Sequence, residues 1–346
     1  MKKKYRIISL FAGCGGMDLG FLGGFNIYGQ KYHRLPFEIV YANELNPKAA
    51  LTYAENFSHS PVVGDISELN LNDLPEADVV LGGFPCQPFS LAGKRGGFDD
   101  DKGRGNLYLE MKKVINHVKP KMFIAENVDG LRTHTTGDVK TLELIVKDLS
   151  EEYDVEYRVL KAVDYGVPQT RVRIFIIGKR KDLKGEIIFP EQTHASVPTS
   201  RLKKHRSTED AIGDLEALLG SPDAPSNHTL KDYSKARFQP GKSHQGNAKE
   251  PRDKPAHTVR AEAHGNQYAH YNSVGSDPES QDMSTWRRLS VRECARLQSF
   301  PDSFIFPVAQ SSAHKQIGNA VPPVLAWHIA KSVNKTLKDI EFHLSL

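Results

Sequence analysis

At 346 residues the chain exceeds the ~250–300 residues over which a single core stays efficient, so one full domain and a smaller second one are expected. Hydrophobic content of 39% and charged content of 25% suit a soluble globular protein, and no apolar run approaches the ~18 residues that span a bilayer. The basic start Met1-Lys2-Lys3-Lys4 leads into too short and mixed a stretch for a signal peptide. Three cysteines (Cys14, Cys86, Cys294), odd in number and without CxxC spacing, exclude a disulfide framework and point to a reducing, cytoplasmic setting. A net charge of +4 tolerates a polyanionic partner without requiring one.

Up to about Arg180, short apolar runs alternate with helix-like stretches, the pattern of βαβ units and a largely parallel sheet. Strands are expected at residues 6–11, 37–42, 77–81, 122–125, 155–161 and 173–178, with a further strand end at Gly64-Asp65-Ile66 and helices at 47–56 and 107–118. The first strand runs into Phe11-Ala12-Gly13-Cys14-Gly15-Gly16, a turn that lets a nucleotide-like cofactor approach the backbone, although its spacing is not the GxGxxG of dinucleotide folds. Segment 21–36, before the second strand, is expected as an added surface hairpin or loop. Glu44, ending the second strand, suits ribose hydroxyls, and Asp65, ending the third, suits an adenine amino group. Helix capping is the alternative role for both acids.

The fourth strand leads through Gly82 and Gly83 into Phe84-Pro85-Cys86-Gln87-Pro88-Phe89-Ser90. Glycine turns the chain there, and Pro85 fixes the backbone just before a thiol at a strand's carboxyl end, where open α/β sheets carry their chemistry. A small buried hydrophobe is the plainer role for such a cysteine. Residues 91–106 are rich in glycine and charge. Glu126-Asn127-Val128 then ends an apolar run, which places a carboxyl one strand over from the thiol and pairs a nucleophile with an acid. Arg171 and Arg173 have the period-two spacing that puts both on one face of a strand, suited to an anionic substrate.

From 186 to about 285, proline, glycine, histidine, serine and charge dominate, with only 207–219 helix-like and Ser207, Thr208 and Asp210 as its cap. A loop-rich recognition domain fits this composition. Lys179, Arg180, Lys181, Lys184, Arg201, Lys203, Lys204 and Arg206 form a basic stretch suited to phosphate. His228, His244, His257, His264 and His270 show no metal-ligand spacing, so no metal is expected. Regular order returns at 290–297 and in an amphipathic helix over 323–338.

These blocks, joined by Arg288-Leu289-Ser290-Val291-Arg292-Glu293-Cys294-Ala295-Arg296-Leu297-Gln298-Ser299-Phe300-Pro301 and Gln316-Ile317-Gly318-Asn319-Ala320-Val321-Pro322-Pro323, resemble those of the DNA (cytosine-5)-methyltransferases of bacterial restriction-modification type. The conjunction of Pro-Cys-Gln, Glu-Asn-Val and Gln-Ile-Gly-Asn-Ala-Val-Pro carries the likeness, and the blocks reach both ends of the chain in the family's order. The resemblance implies an α/β fold: the Rossmann-like sheet of an S-adenosylmethionine-dependent methyltransferase, with a smaller, loop-rich target-recognition domain. The catalytic and cofactor domain would span 1–184, completed by 316–346, with recognition at 185–287 and a connecting segment at 288–315. By the same resemblance Cys86 adds to the cytosine ring, Glu126 holds it, and Arg171 and Arg173 hold the flipped nucleotide. Cofactor contacts are implied at Phe11, Ala12, Gly13, Gly15, Gly16, Glu44, Asp65, Ile66, Pro85, Leu107, Asn319 and Val321. DNA contacts are expected at Ser90, Lys94, Arg95, Thr258 and Arg260, with 91–106 as a mobile catalytic loop. S-adenosylhomocysteine is the implied product, double-stranded DNA the partner, a monomer the acting form, and a cognate endonuclease a companion on the same site.

Other readings stand beside this one. A transfer-RNA cytosine methyltransferase shares the Pro-Cys and Glu-Asn-Val signature, and a silent DNA-binding paralogue would share the fold. A nicotinamide dehydrogenase needs a different glycine spacing, and an amino-group methyltransferase needs no thiol.

Overall fold

Nearly continuous apolar runs are the sequence form of strands buried on both faces, and here they make the middle of a sheet. The computed structural model describes residues 4–84, 107–136, 138–228, 248–261, 270–273 and 286–345. In chain order come β1 (Tyr5–Leu10), α1 (Gly16–Leu22), the hairpin β2 (Phe25–Ile27) and β3 (Gln30–Tyr32), β4 (Phe37–Glu44), α2 (Pro47–Asn56), β5 (Val62–Val63), β6 (Val79–Gly82), α3 (Leu107–Val118) and β7 (Met122–Val128). A short ribbon of β8 (Thr135–Thr136) and β9 (Val139–Lys140) precedes α4 (Thr141–Leu149), β10 (Tyr153–Lys161) and β11 (Val172–Arg180). Beyond them lie β12 (His194–Ala195), β13 (Lys203–Lys204), α5 (Thr208–Ile212), β14 (Ala248–Lys249), β15 (His270–Ser273), β16 (Trp286–Arg288), α6 (Val291–Leu297), α7 (Gln310–Asn319) and α8 (Pro323–Leu344).

The seven-stranded sheet has the order β10-β11-β7-β6-β1-β4-β5. Only β11 runs against its neighbours, antiparallel to both β10 and β7. The chain leaves β1 toward β4 and later returns to pair β6 with the other edge of β1, so the strand order reverses there and a crevice opens above the carboxyl ends of those strands. Each expected strand lies within or overlaps an observed one, and both expected early helices have the predicted bounds. None of the described helices is long and apolar enough to cross a membrane.

Two cores flank the sheet. On one face Ile7, Val79, Ile124 and Phe175 pack with Phe21 of α1 and with Val324, Leu325, Ile329, Val333 and Ile340 of α8, so the last helix closes the layer begun by the first. On the other, Ile8, Val80 and Ile174 meet Met111, Val114 and Ile115 of α3 and Leu142 and Ile145 of α4. A third core joins Cys14 to Ile212, Leu215, Val259, Leu289, Cys294, Phe300, Phe304 and Ile317. The stretch expected to connect two domains thus supplies apolar packing of its own.

Arg292 is fully buried in this third region, where it donates to the carbonyls of Ser226, Pro301 and Phe304 at 2.9, 2.9 and 2.7 Å. Burial pulls its pKa down to about 10. Arg292→Leu strands the two buried acceptors at Pro301 and Phe304 as well as the partly buried one at Ser226, and is expected to cost about 3 kcal/mol, read as a lower urea midpoint at unchanged slope.

Two expectations need correction. Segment 21–36 is indeed a hairpin with an exposed outer face (Asn26, Lys31), but its inner face is built into the core: Phe25 and Tyr32 are buried, and Tyr32 meets Trp327 of α8 edge-on at 5.2 Å. At its tip the Tyr28 hydroxyl donates to the Arg296 carbonyl, and the Arg206 guanidinium lies 4.9 Å from the Tyr28 ring, so the insertion straps the sheet to the third core. The basic stretch is likewise no continuous face. Lys179 is buried on Asp154 and the Leu183 carbonyl, Arg180 pairs with Asp182, and Lys181 donates to Ser150. Because β11 runs backward, its carboxyl end pairs with the start of β7 and lies at the end of the sheet away from the crevice.

Candidate active site

A cleft of ≈ 710 Å³ occupies the crevice. It brings together Phe11, Ala12, Gly13 and Gly16 after β1, Glu44 ending β4, Asp65 and Ile66 after β5, Leu107 opening α3, Glu126 of β7, Arg171 and Arg173 at the head of β11, Asn319 ending α7, and Val321 between α7 and α8. Gly15 is the exception, because it faces away from the cleft wall. It caps α1 at φ 90°, and a Cβ there would fall 2.3 Å from the Phe57 ring, so it serves the turn and its packing on α2. Pro85, Cys86, Ser90, Lys94 and Arg95, and the loop 91–106, lie outside the described residues. Thr258 and the exposed Arg260 do not line the cleft; the Thr258 hydroxyl donates to the Thr170 carbonyl at 2.9 Å, which docks their segment beside Arg171.

At the glycine-turn end, Glu44 Oε2 accepts from Gly13 N at 2.8 Å and Oε1 from Asn46 N at 2.8 Å. Asn46 in turn caps α2 through Lys48 N and Ala49 N. Asp65 caps the turn that follows it, its Oδ1 accepting from Ser67 N and Ser67 Oγ at 2.9 and 2.8 Å. Those two bonds hold its carboxyl below the usual range. Asp65 therefore combines capping with cleft lining, while Glu44 lines the cleft and holds the backbone of the glycine turn and of the residue that caps α2.

At the other end Arg173 Nε stands 2.9 Å from Glu126 Oε1, with both side chains largely buried. The N–H is not aligned for a hydrogen bond, and Oε1 has no other partner among the described residues. Asn127 Nδ2 donates to the Phe84 carbonyl at 3.0 Å, tying β7 to the last described residue before Pro85. Arg171 is almost wholly buried and donates through Nη1 to the carbonyls of Val259 and Gly318 at 3.1 and 3.0 Å. Burial first, and then the neighbouring Arg173, disfavour its charge, which Glu126 opposes. One guanidinium thus pins three distant segments together at the cleft, while the next reaches the carboxylate.

Sequence reasoning missed Asp18, which also lines the cleft. It is 1% exposed and accepts from Ser9 Oγ and Tyr53 OH, both at 2.7 Å. Its burial raises the carboxyl pKa to about 6. An acid in the first turn of a helix reads as a dipole partner, so the only local signal was an ambiguous one.

Residues 5–335 match the family of C-5 cytosine-specific DNA methylases. The chain belongs to that family. This methyltransferase is 35% identical over 349 residues to the Type II methyltransferase M.NgoFVII of Neisseria gonorrhoeae, covering 97% of this chain and 88% of that one. It is 36% identical over 358 residues to Type II methyltransferase M.NgoPII of the same species, covering 96% of each. The S. pombe Dnmt2 methyltransferase superposes with a TM-score of 0.67 at 20% identity, over 96% of this chain and 99% of that one, a likeness of fold. Membership makes the chain a cytosine-5 DNA methyltransferase and sets aside the dehydrogenase and amino-group readings.

Proposed function

We propose that this methyltransferase modifies one cytosine within a short duplex sequence, taking the methyl group from S-adenosylmethionine and holding the flipped-out base on a covalent bond to Cys86. The observation that supports the reading is the Glu126–Arg173 pair, a buried carboxylate whose Oε1 faces Arg173 and accepts no aligned hydrogen bond among the described residues, in the same cleft as the glycine turn.

The cleft also fits the cofactor. A Cβ built on Gly13 meets nothing within 4 Å, so the backbone there fronts open space, and Glu44 and Asp65 supply acceptors for hydroxyl and amino groups. Phe11, Ala12, Gly13, Gly16, Ile66, Leu107, Asn319 and Val321 would complete the contacts, with Pro85 from beyond the described residues. When bound, S-adenosylmethionine supplies an electrophilic methyl group and leaves as S-adenosylhomocysteine.

Carbon 5 of cytosine is a weak nucleophile. The Cys86 thiolate adds at carbon 6, and the new C–S bond pushes electron density onto carbon 5. Glu126 accepts from the exocyclic amine and shares a proton with ring nitrogen 3, which neutralises the negative charge that appears on the ring as the thiolate adds. Arg173 keeps the carboxylate turned toward the base. After carbon 5 is methylated, a base removes its proton, the C–S bond breaks, and the thiolate leaves. The target atom is inaccessible in the stack, so extrusion of the base costs a few kcal/mol.

In this reading 1–184 with 316–346 form the catalytic unit, 288–315 links it, and 185–287 reads the DNA, with Thr258 and Arg260 among its contacts. Ser90, Lys94 and Arg95, outside the described residues, would contact the duplex as well. The enzyme acts as a cytoplasmic monomer, and an endonuclease of the same specificity accompanies it, as suits likeness to Type II methyltransferases. Bisulfite sequencing of DNA from a methylation-free bacterial host expressing the chain tests this: methylcytosine at one short motif is expected. Unmethylated DNA alongside methylated transfer RNA would move the substrate to RNA.

A further inference from the structure

One carboxylate in the cofactor cleft is used neither by the ring chemistry nor by the adenosine contacts. Asp18 lies behind the glycine turn, buried yet part of the cleft lining together with Ser9. Its partners, the Ser9 and Tyr53 hydroxyls, are neutral. Among the described residues no lysine, arginine or histidine forms an ion pair with it. The nearest basic group along the network is His59, 3.1 Å from the Tyr53 hydroxyl, and burial lowers its pKa and so disfavours its charged form. The other charged groups of the lining are the acids Glu44, Asp65 and Glu126 and the cations Arg171, Arg173 and Lys315, none of which forms an ion pair with Asp18 among the described residues. With a pKa raised only to about 6, Asp18 is mostly ionised at neutral pH.

A buried anion without a cation is costly, and such groups are normally paired. Here the missing partner has a place to come from, because the carboxylate borders a cavity. S-adenosylmethionine carries a sulfonium charge that S-adenosylhomocysteine lacks, while the rest of the two molecules is the same apart from one methyl group. We infer that Asp18 is the counter-charge that lets the cleft distinguish the cationic methyl donor from its neutral product, favouring loading of the donor and release of the product. The inference rests on the cofactor assignment proposed above. It differs from the roles of Glu44 and Asp65, whose adenosine partners are common to both molecules.

The test is calorimetric titration of the full chain at pH 8 with S-adenosylmethionine, S-adenosylhomocysteine and sinefungin, in which an amine-bearing carbon replaces the sulfonium. Asp18→Asn is expected to weaken both cationic ligands about tenfold while leaving S-adenosylhomocysteine nearly unchanged, a size appropriate to one nearby charge. Equal weakening of all three ligands makes Asp18 a clamp between β1 and α2 and overturns the inference, as does no change at all. Tyr53→Phe covers the case in which Asp18→Asn does not fold. It removes a neutral donor and keeps the carboxylate, so the preference for cationic ligands over S-adenosylhomocysteine is expected to persist or rise. Its collapse overturns the inference. Failure of the wild-type protein to bind any of the three would instead defeat the cofactor reading itself.

Discussion

Serine in place of Cys86 is expected to lower cytosine methylation by about 10⁴-fold or more while duplex binding persists, since removing a nucleophile from a catalytic unit removes most of what that unit does. The size follows from the substrate. Without a bond at carbon 6, carbon 5 keeps its aromatic character, and alignment alone must carry the reaction. Serine keeps the shape of the side chain but offers an alcohol, whose much higher pKa leaves almost no alkoxide near neutrality. Two measurements check this: single-turnover transfer of labelled methyl to duplex DNA, and a gel-shift titration of the same duplex. Appreciable transfer by the serine variant would end the covalent mechanism. Loss of DNA binding in parallel would place Cys86 in the architecture of the loop rather than in the chemistry.

Glu126→Gln is expected to slow the chemical step by roughly 10²-fold or more, the range of a positioned acid or base. Glutamine fills the same space between Gly83 and Arg173, so packing is preserved. A Cβ added at Gly83 would already stand 3.3 Å from Glu126 Oε2, which leaves little room for a larger change. What disappears is the carboxyl group that would hold a proton at ring nitrogen 3 as negative charge develops there, and with it the partner that faces Arg173 Nε at 2.9 Å. The loss should appear in the single-turnover rate, with the affinity for S-adenosylmethionine unchanged, because the proposed adenosine contacts Glu44 and Asp65 follow β4 and β5, separated from β7 by β6 and β1. A near-normal rate would leave Glu126 as a holder of Arg173 and nothing more.

The difference between these two residues shows how unevenly the site was legible. Glu126 follows four apolar residues that could only be a buried strand, so its position at a carboxyl end was readable locally. Arg171 and Arg173 were readable as a pair on one face, but their roles were not. Period-two spacing says that two side chains point the same way; it does not say that the first will be swallowed between Val259 and Gly318 while the second reaches a carboxylate. Gly15 was legible only in part. Its place in a glycine-rich turn suggested the cofactor, and its positive φ and the Phe57 ring add a turn constraint that the sequence did not show. Asp18 stayed hidden because its partners, Ser9 and Tyr53, sit on two other elements.

By itself the amino-acid sequence determined the alternating strand-and-helix order, the strand ends that carry Glu44 and Glu126, and the family blocks, because periodicity, turn residues and motif spacing act over a few residues. Only the tertiary structure decided that β11 runs backward and carries its basic end away from the crevice, that the hairpin at 25–32 is a strap with its inner face in the core, and that α8 returns to close the first core. It also decided that Asp18 meets two neutral hydroxyls and, among the described residues, no cation. Those outcomes depend on which distant surfaces meet, and burial, charge pairing and packing are properties of the meeting rather than of either segment alone.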